Sequence, residues 1–336
     1  MKRLVTRLLG SYWFKRLLQA LLTLWLASAL SFAIMQLAPG DYLNTLQQNP
    51  TISAETVEAL RQQFGLDKPP VEQYFLWLSQ VLRGNFGESF VYRRPVALLL
   101  WERVPATLLL AVASLVLTWG LAIPLGIVAA VNQNRRLDYL LQGVSYIAQG
   151  FPSFIAGLIL LFIAQRTGWF PVGDMTSLDF EDLTLLGKIL DVLWHLCLPA
   201  LTLTIISFAG LQRLMRGNLL DVLRQEYIRT ARAKGLPETR VIYVHALRNA
   251  INPLITLLGF EFATLLSGAF ISEYFFNWPG LGRLILQAVT AQDLYLVMAS
   301  LMLGSVMLIV GNLLADLLLQ WADPRIQFQR EPVSLD

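Results

Sequence analysis

Three carboxylates, Glu261, Glu273 and Asp316, stand in stretches that are otherwise nearly free of charge. An ionisable group in hydrocarbon is costly, so such residues mark ion paths, solute paths or specific internal pairs. Glu261 lies near the middle of its apolar run, whereas Glu273 falls near one end, where water is expected to reach it, and Asp316 near the inner end of the last run. A proton or cation relay needs a chain of such groups, and no second central one is present, so Glu261 reads as a packing or cavity-lining residue. Hydrolytic chemistry has little support. The five lysines, Lys2, Lys15, Lys68, Lys188 and Lys234, lie outside any GxxxxGK[ST] phosphate loop. His195 and His245 are far apart, and neither sits at a metal-ligand spacing. No GxSxG nucleophile turn occurs, and Cys197, between Leu196 and Leu198, reads as a small buried hydrophobe. No catalytic residue and no metal site is assigned.

A different pattern occupies Glu226 to Leu236. From about Asn218 to Lys234 the residues favour helix, with Ile228 and Thr230 tolerated. Gly235 suits a left-handed C-cap and Pro237 prevents continuation. Tyr227, Thr230, Ala231 and Lys234 fall at i, i+3, i+4 and i+7, on one face. That small, polar face around one ring suits insertion into a protein groove. A basic helix lying on anionic lipid is the other reading; against it, the segment lacks a strong hydrophobic stripe.

These groups need elements to hold them. The 336 residues are 55% hydrophobic and 15% charged, with a mean hydropathy of +0.54; soluble domains carry about 25% charged residues. A bilayer crossing takes about 20 apolar residues. Six spans are expected: Leu17 to Gly40, Val104 to Asn134, Tyr139 to Gln165, Val192 to Gln212, Asn249 to Phe276, and Leu294 to Ala315. The first runs past the cleavage-like Ala27-Ser28-Ala29, which favours an uncleaved helix. Most of the 26 lysines and arginines fall before span one, in Asn132 to Asp138, in the loop after span four, and in the tail. The positive-inside rule places all four on the cytoplasmic side. The division is then a cytoplasmic N-terminus (1–16), a first span (17–40), an external helical segment (41–103), a core (104–322) with a cytoplasmic loop (213–248), and a cytoplasmic tail (323–336).

In the external segment, Ser53 to Phe64 reads as a helix with Ser53 as N-cap, and Gly65 ends it. Val71 to Leu82 reads as a second, with Tyr74, Trp77 and Leu78 on one face. Those aromatics suit interfacial anchoring or contact with a partner. After span five, Trp278-Pro279-Gly280-Leu281-Gly282 forces a tight turn, followed by a short helix with Leu284, Ile285, Ala288 and Val289. This is either a gate at the outer end of a pathway, with Glu273 and Glu261 along it, or an interfacial turn. Kinks are expected at Pro124 and at Phe151-Pro152. Ala263, Ser267, Thr264 and Gly268 offer small residues for close packing.

The Glu226 to Leu236 segment resembles the EAA signature of ATP-binding-cassette importer permeases, in the variant of dipeptide, oligopeptide and nickel permeases. Arg229, Thr230 and Ala231 stand at the EAA positions, with Gly235 beyond. His245-Ala246-Leu247-Arg248-Asn249-Ala250 and Pro253 continue the pattern. Leu37-Ala38-Pro39-Gly40-Asp41, Phe64 to Pro69, Gln73-Tyr74, Gly84-Asn85-Phe86-Gly87-Glu88-Ser89, Glu273 to Gly282 and Asp323-Pro324-Arg325 resemble that family's first permease subunit in order and spacing. Gln292-Asp293-Leu294-Tyr295 departs from its Arg-Asp-Tyr-Pro.

The resemblance implies an all-α, six-span permease of the type I importer fold with both termini cytoplasmic. It implies a multi-pass inner-membrane chain with no cofactor of its own, ATP and Mg residing on partner ATPases. Its partners would be a second homologous permease, two ATPases, an external binding protein, a peptide substrate and membrane lipid, with no nucleic acid. Glu226, Tyr227, Arg229, Thr230, Ala231, Lys234, Gly235 and Leu236 would meet the ATPases. A nickel or other small-solute importer shares these motifs. A secondary transporter would need internal repeats and a midplane ion site, and a scaffold would need no gate-like loop.

Overall fold

The computed structural model describes residues 2–37, 43, 54–63 and 65–322. The side chains of 1–15, 54, 63, 153 and scattered positions within 256–268 and 315–322 lie outside that description. The expected N-cap Ser53, the motif around Pro39 and the closing Asp323-Pro324-Arg325 fall outside it too. So do the side chains of Ala263, Thr264, Ser267 and Gly268.

The chain is built from helices: α1 (Lys2–Leu37), α2 (Ala54–Gln63), α3 (Pro70–Val81), α4 (Val96–Val131), α5 (Arg136–Gly150), α6 (Ser153–Thr167), α7 (Leu185–Leu223), α8 (Glu226–Ala233), α9 (Asn252–Phe275), α10 (Leu281–Thr290) and α11 (Leu294–Ala322). Short helical turns at Phe180–Asp182 and Glu238–Arg240, a π-helical stretch Val241–Ala246 and a turn Leu247–Ala250 complete the order. Arg16–Leu37, Val96–Val131, Leu185–Leu223 and Leu294–Leu314 are long and apolar enough to cross a membrane, and α5 with α6 makes a fifth crossing if the bent pair counts as one. α9, at 24 residues, has the length of a span.

Several boundaries differ from the expected spans. Tyr139 to Gln165 is two helices, α5 and α6, and the kink expected at Phe151-Pro152 is a bend of 103°. Pro152 removes an N–H and pushes Phe151 into the extended region (φ −88°, ψ 124°). By contrast α4 stays helical through Pro124 and begins at Val96, earlier than Val104. α7 runs from Leu185 to Leu223, past both expected ends. Thr184 caps it, its Oγ1 accepting from the Gly187 N–H at 3.2 Å. The helix expected from Asn218 therefore divides: its first residues belong to α7, and α8 starts anew after Arg224-Gln225.

The chain separates into two compact units, Met1–Pro105 with Gly280–Ile309, and Ala106–Pro279 with Val310–Asp336. In the first, Phe32 of α1, Tyr74 and Trp77 of α3, Phe90, and Leu294 and Met298 of α11 form the core. The expected face of α3 is inward, with Tyr74 hydrogen-bonded to Ser28 at 2.9 Å. In the second, α7 packs against α5, α6 and α9. One core joins Ala122 and Ile127 of α4 to Phe208, Met215 and Leu219 of α7 and Leu254 of α9. Gly126 is the reason α4 and α7 approach closely: a Cβ there would lie 2.7 Å from the Met215 Cβ and 2.8 Å from the Gln212 carbonyl.

Candidate functional site

The short helix α8 rests on that second core by two side chains. Ile228 is fully buried and Ala231 nearly so, packed with Met215, Leu219, Val241 and Ile242. Ala231 thus turns inward, while Glu226, Tyr227, Arg229, Thr230, Ala233 and Lys234 are exposed. Burying an isoleucine side chain stabilises by about 1.5–3 kcal/mol, so Ile228 is the main tie of a helix too short to persist alone.

The C-terminus of α8 closes as expected. Gly235 adopts φ +76°. Its N–H donates to the Arg232 carbonyl at 2.9 Å and the Leu236 N–H donates to the Ala231 carbonyl at 3.4 Å. These are the two bonds of a Schellman motif, and Leu236 packs on the core that holds Ala231. A Cβ at Gly235 would meet nothing within 4 Å, so the demand for glycine is conformational and not steric.

Ion pairs order the exposed surface. Arg229 pairs with Glu226 at 2.6 Å. Arg232 takes both oxygens of Glu238, at 3.1 and 2.6 Å, across the Leu236-Pro237 turn. Its guanidinium holds the Glu238 carboxyl below the usual range. The Asn249 amide donates to Tyr227 Oη at 2.8 Å, joining α8 to the turn that follows the π-helical stretch. Lys234 makes no ion pair among the described residues.

A second group lies where span five ends. Glu273 is fully buried, not wet, and accepts a hydrogen bond from Thr107 Oγ1 at 2.6 Å. Trp278 is fully buried among Ala106, Leu110, Leu196 and Leu203, and its indole N–H donates to the Ala106 carbonyl at 2.9 Å. Asn277, at φ +54°, hydrogen-bonds Asp174, whose own N–H donates to the Phe276 carbonyl at 2.9 Å. Pro279 closes this segment. Trp278 is an anchor here, its ring buried and its indole N–H bonded. Glu261 hydrogen-bonds Ser207, and its Oε2 is buried with no partner.

Gly280 and Gly282 belong to the other unit. There α10 is the expected short helix: it buries Leu281, Gly282, Leu284 and Ala288, while Val289 is exposed. Two residues missed by motif reading hold strong geometry. Asp293 is fully buried. It caps α11 through the Leu296 N–H at 3.3 Å, and its Oδ2 accepts from Ser89 Oγ at 2.5 Å and the Val91 N–H at 3.1 Å. Burial pushes this carboxyl up, against those hydrogen bonds. Gly87, at φ +86°, lies against the Tyr295 ring. The altered Gln292-Asp293-Leu294-Tyr295 is therefore where the Gly84 to Ser89 motif is fastened. The other is Asp138, fully buried and gripped by Arg216 Nε and Nη2, both at 2.7 Å. The Asn134 N–H and the Gln142 amide complete its shell at 3.0 and 2.9 Å. Asp138 next to Arg135-Arg136 was the available signal.

Over residues 122–328 the chain matches the family described as "Binding-protein-dependent transport system inner membrane component", and over 9–111 that family's N-terminal region. The chain belongs to this family. The oligopeptide transport system permease protein AppB of Bacillus subtilis (strain 168) is 39% identical over 322 residues, covering 95% of this chain and 100% of the relative. The glutathione transport system permease protein GsiC of Escherichia coli (strain K12) is 36% identical over 320 residues, covering 95% and 99%. A chain of the inward-facing MetNI methionine ABC transporter aligns with a TM-score of 0.53 at 15% identity, covering 68% of this chain and 97% of that one. That likeness assigns the all-α type I importer permease fold. As a member of the binding-protein-dependent family, the chain is a multi-pass inner-membrane permease subunit, and the family implies ATPase and binding-protein partners.

Proposed function

We propose that this chain is one half of the translocation pathway of a peptide importer, paired with a second, homologous permease. Its six spans, α1, α4, α5 with α6, α7, α9 and α11, leave both termini in the cytoplasm. ATP and Mg are bound and hydrolysed on two separate ATPase subunits, and an external binding protein delivers the peptide. α8 is the coupling helix. The observation that carries this reading is the construction of α8. Two inward side chains fix it to a core shared by α4, α7 and α9, while its remaining face is polar, cationic and open.

A docking element that transmits force must not slide on its own base. Ile228 provides the seat, the Gly235 cap fixes the exit direction, and Tyr227 to Asn249 ties the far side. A push on Glu226, Arg229, Thr230 or Lys234 is then passed to α7 and α9 as a whole. ATP binding closes the ATPase pair and moves α8 as a lever; the spans open outward, and hydrolysis resets them. This links two sites through one two-state element. Peptide as cargo is supported by the relatives named above, which align over their whole lengths.

The test is uptake by the reconstituted permeases, ATPases and binding protein, with the ligand carried by the binding protein identified by mass spectrometry. Peptide uptake that stops with a hydrolysis-dead ATPase is expected. Uptake driven by an ion gradient without ATP would overturn the importer reading, and a bound metal in place of peptide would overturn the cargo.

A further inference from the structure

The π-helical stretch Val241–Ala246 lies between α8 and α9 and has two unlike faces. Val241, Ile242 and Ala246 are buried in the core shared by α7 and α9. Arg240, Tyr243, Val244 and Arg248 fall at i, i+3, i+4 and i+8, the spacing of one helical face, and all four are exposed. Tyr243 and Val244 leave more than half of their surface open, 57% and 54%. The two arginines that flank them make no ion pair among the described residues. In this they differ from Arg229 and Arg232 of α8, whose charges are met by Glu226 and Glu238. Glu238, two residues from Arg240, has both oxygens held by Arg232, so it does not answer Arg240.

A tyrosine and a valine with a free arginine at each end suit the boundary between hydrocarbon and water. A tyrosine ring sits at headgroup level, and arginine stems lie on apolar surface while their charge stays in the polar layer. Val244 and Arg248 precede Asn252, the first residue of α9, by eight and four positions, roughly 12 and 6 Å of helix. The stripe therefore sits at the membrane edge of span five, on the side where the leaflet carries negative charge. An ATPase groove fits it less well: α8 already offers a polar face for that, whereas this stripe is half apolar. We propose that Arg240, Tyr243, Val244 and Arg248 form a site for the headgroup of an anionic phospholipid, which steadies the base of α8. The link to α8 is Asn249, beside Arg248, whose amide donates to Tyr227 Oη at 2.8 Å. The inference rests on the orientation given under the proposed function, which places α8 in the cytoplasm.

The experiment uses the complete transporter, both permeases with their ATPases, purified in detergent and titrated with phosphatidylglycerol or phosphatidylcholine. Bound lipid is counted by native mass spectrometry. An arginine near an anionic surface brings roughly a five-fold gain in affinity. The Arg240→Gln/Arg248→Gln variant should therefore bind phosphatidylglycerol about 10-fold or more weakly, with phosphatidylcholine unaffected. Added salt should erode the wild-type preference, and Arg240→Lys/Arg248→Lys should keep most of it. In nanodiscs, phosphatidylglycerol should raise binding-protein-stimulated ATP hydrolysis of the wild type and leave the Gln variant unchanged. Equal phosphatidylglycerol affinity in the folded Gln variant overturns the site. Loss of the ATPases from that variant during purification overturns it too, because the stripe would then be an ATPase contact. Lipid binding is read without transport, so a complex that prefers phosphatidylglycerol yet shows no ATP-driven uptake counts against the proposed function and not against the lipid site.

Discussion

α8 and the segment from Glu273 to Trp278 were both marked by sequence as places where a partner or solute is met, yet they are built in opposite ways. α8 sinks two side chains and leaves most of its polar ones in water. The other segment sinks its signature: Glu273, Phe276 and Trp278 are all buried to about the last per cent. Motif residues thus do two jobs. In one region they stay exposed on the surface, and in the other they are buried and hold the backbone.

The comparison can be broken at the buried end first. Trp278→Ala removes a large ring and its hydrogen bond to the Ala106 carbonyl. A loss of about 3–5 kcal/mol in unfolding stability is expected for such a truncation, read by thermal or denaturant unfolding of the purified permease. A change under ~1 kcal/mol would mean that Trp278 is not an anchor. Ile228→Ala comes next, with about 2–4 kcal/mol of local stability lost. Protease cleavage near Arg229 should accelerate while the membrane spans stay intact; unchanged cleavage would show that α8 is held by something other than its seat.

Gly235→Val is expected to cost about 1–2 kcal/mol, because a β-branched residue resists positive φ. Since the space around Gly235 is open, folding and insertion should survive, and ATPase co-purification should weaken. Full co-purification would remove the main support for docking at α8. Tyr227→Phe is the smallest change. It deletes one exposed hydrogen bond, worth at most about 0.5–1 kcal/mol, and a shift in ATPase affinity no larger than a few-fold is expected by titration.

The C-cap at Gly235, the amphipathic α3 and the apolar runs of α1, α4 and α11 were legible because each depends on neighbours within one or two turns. Ala231, grouped by spacing with Tyr227, Thr230 and Lys234, turns inward beside Ile228 instead, since periodicity does not say where the core lies. Glu273 was read as wet for a related reason: its partner Thr107 is 166 residues away. Asp293 looked like a departure from a motif, and only its bonds to Ser89 and Val91 show what it fastens. Pro124 and Pro152 have the same chemistry, yet α4 runs through one and the chain breaks at the other. Local sequence does not separate those outcomes, because neighbouring helices decide whether the freed carbonyl is tolerated.

Asp138 and Arg216 lie 78 residues apart in the chain, so ribosomes make the acid long before the base. Until Arg216 emerges, α5 carries a carboxylate that has its local Asn134 and Gln142 donors but no cation, and burying it against neighbouring helices is unfavourable. Biogenesis should therefore hold α5 at the translocon or the membrane surface until α7 is synthesised. Nascent chains stalled before Arg216 are expected to leave α5 accessible to water-soluble probes, and chains stalled well beyond it to protect the same helix.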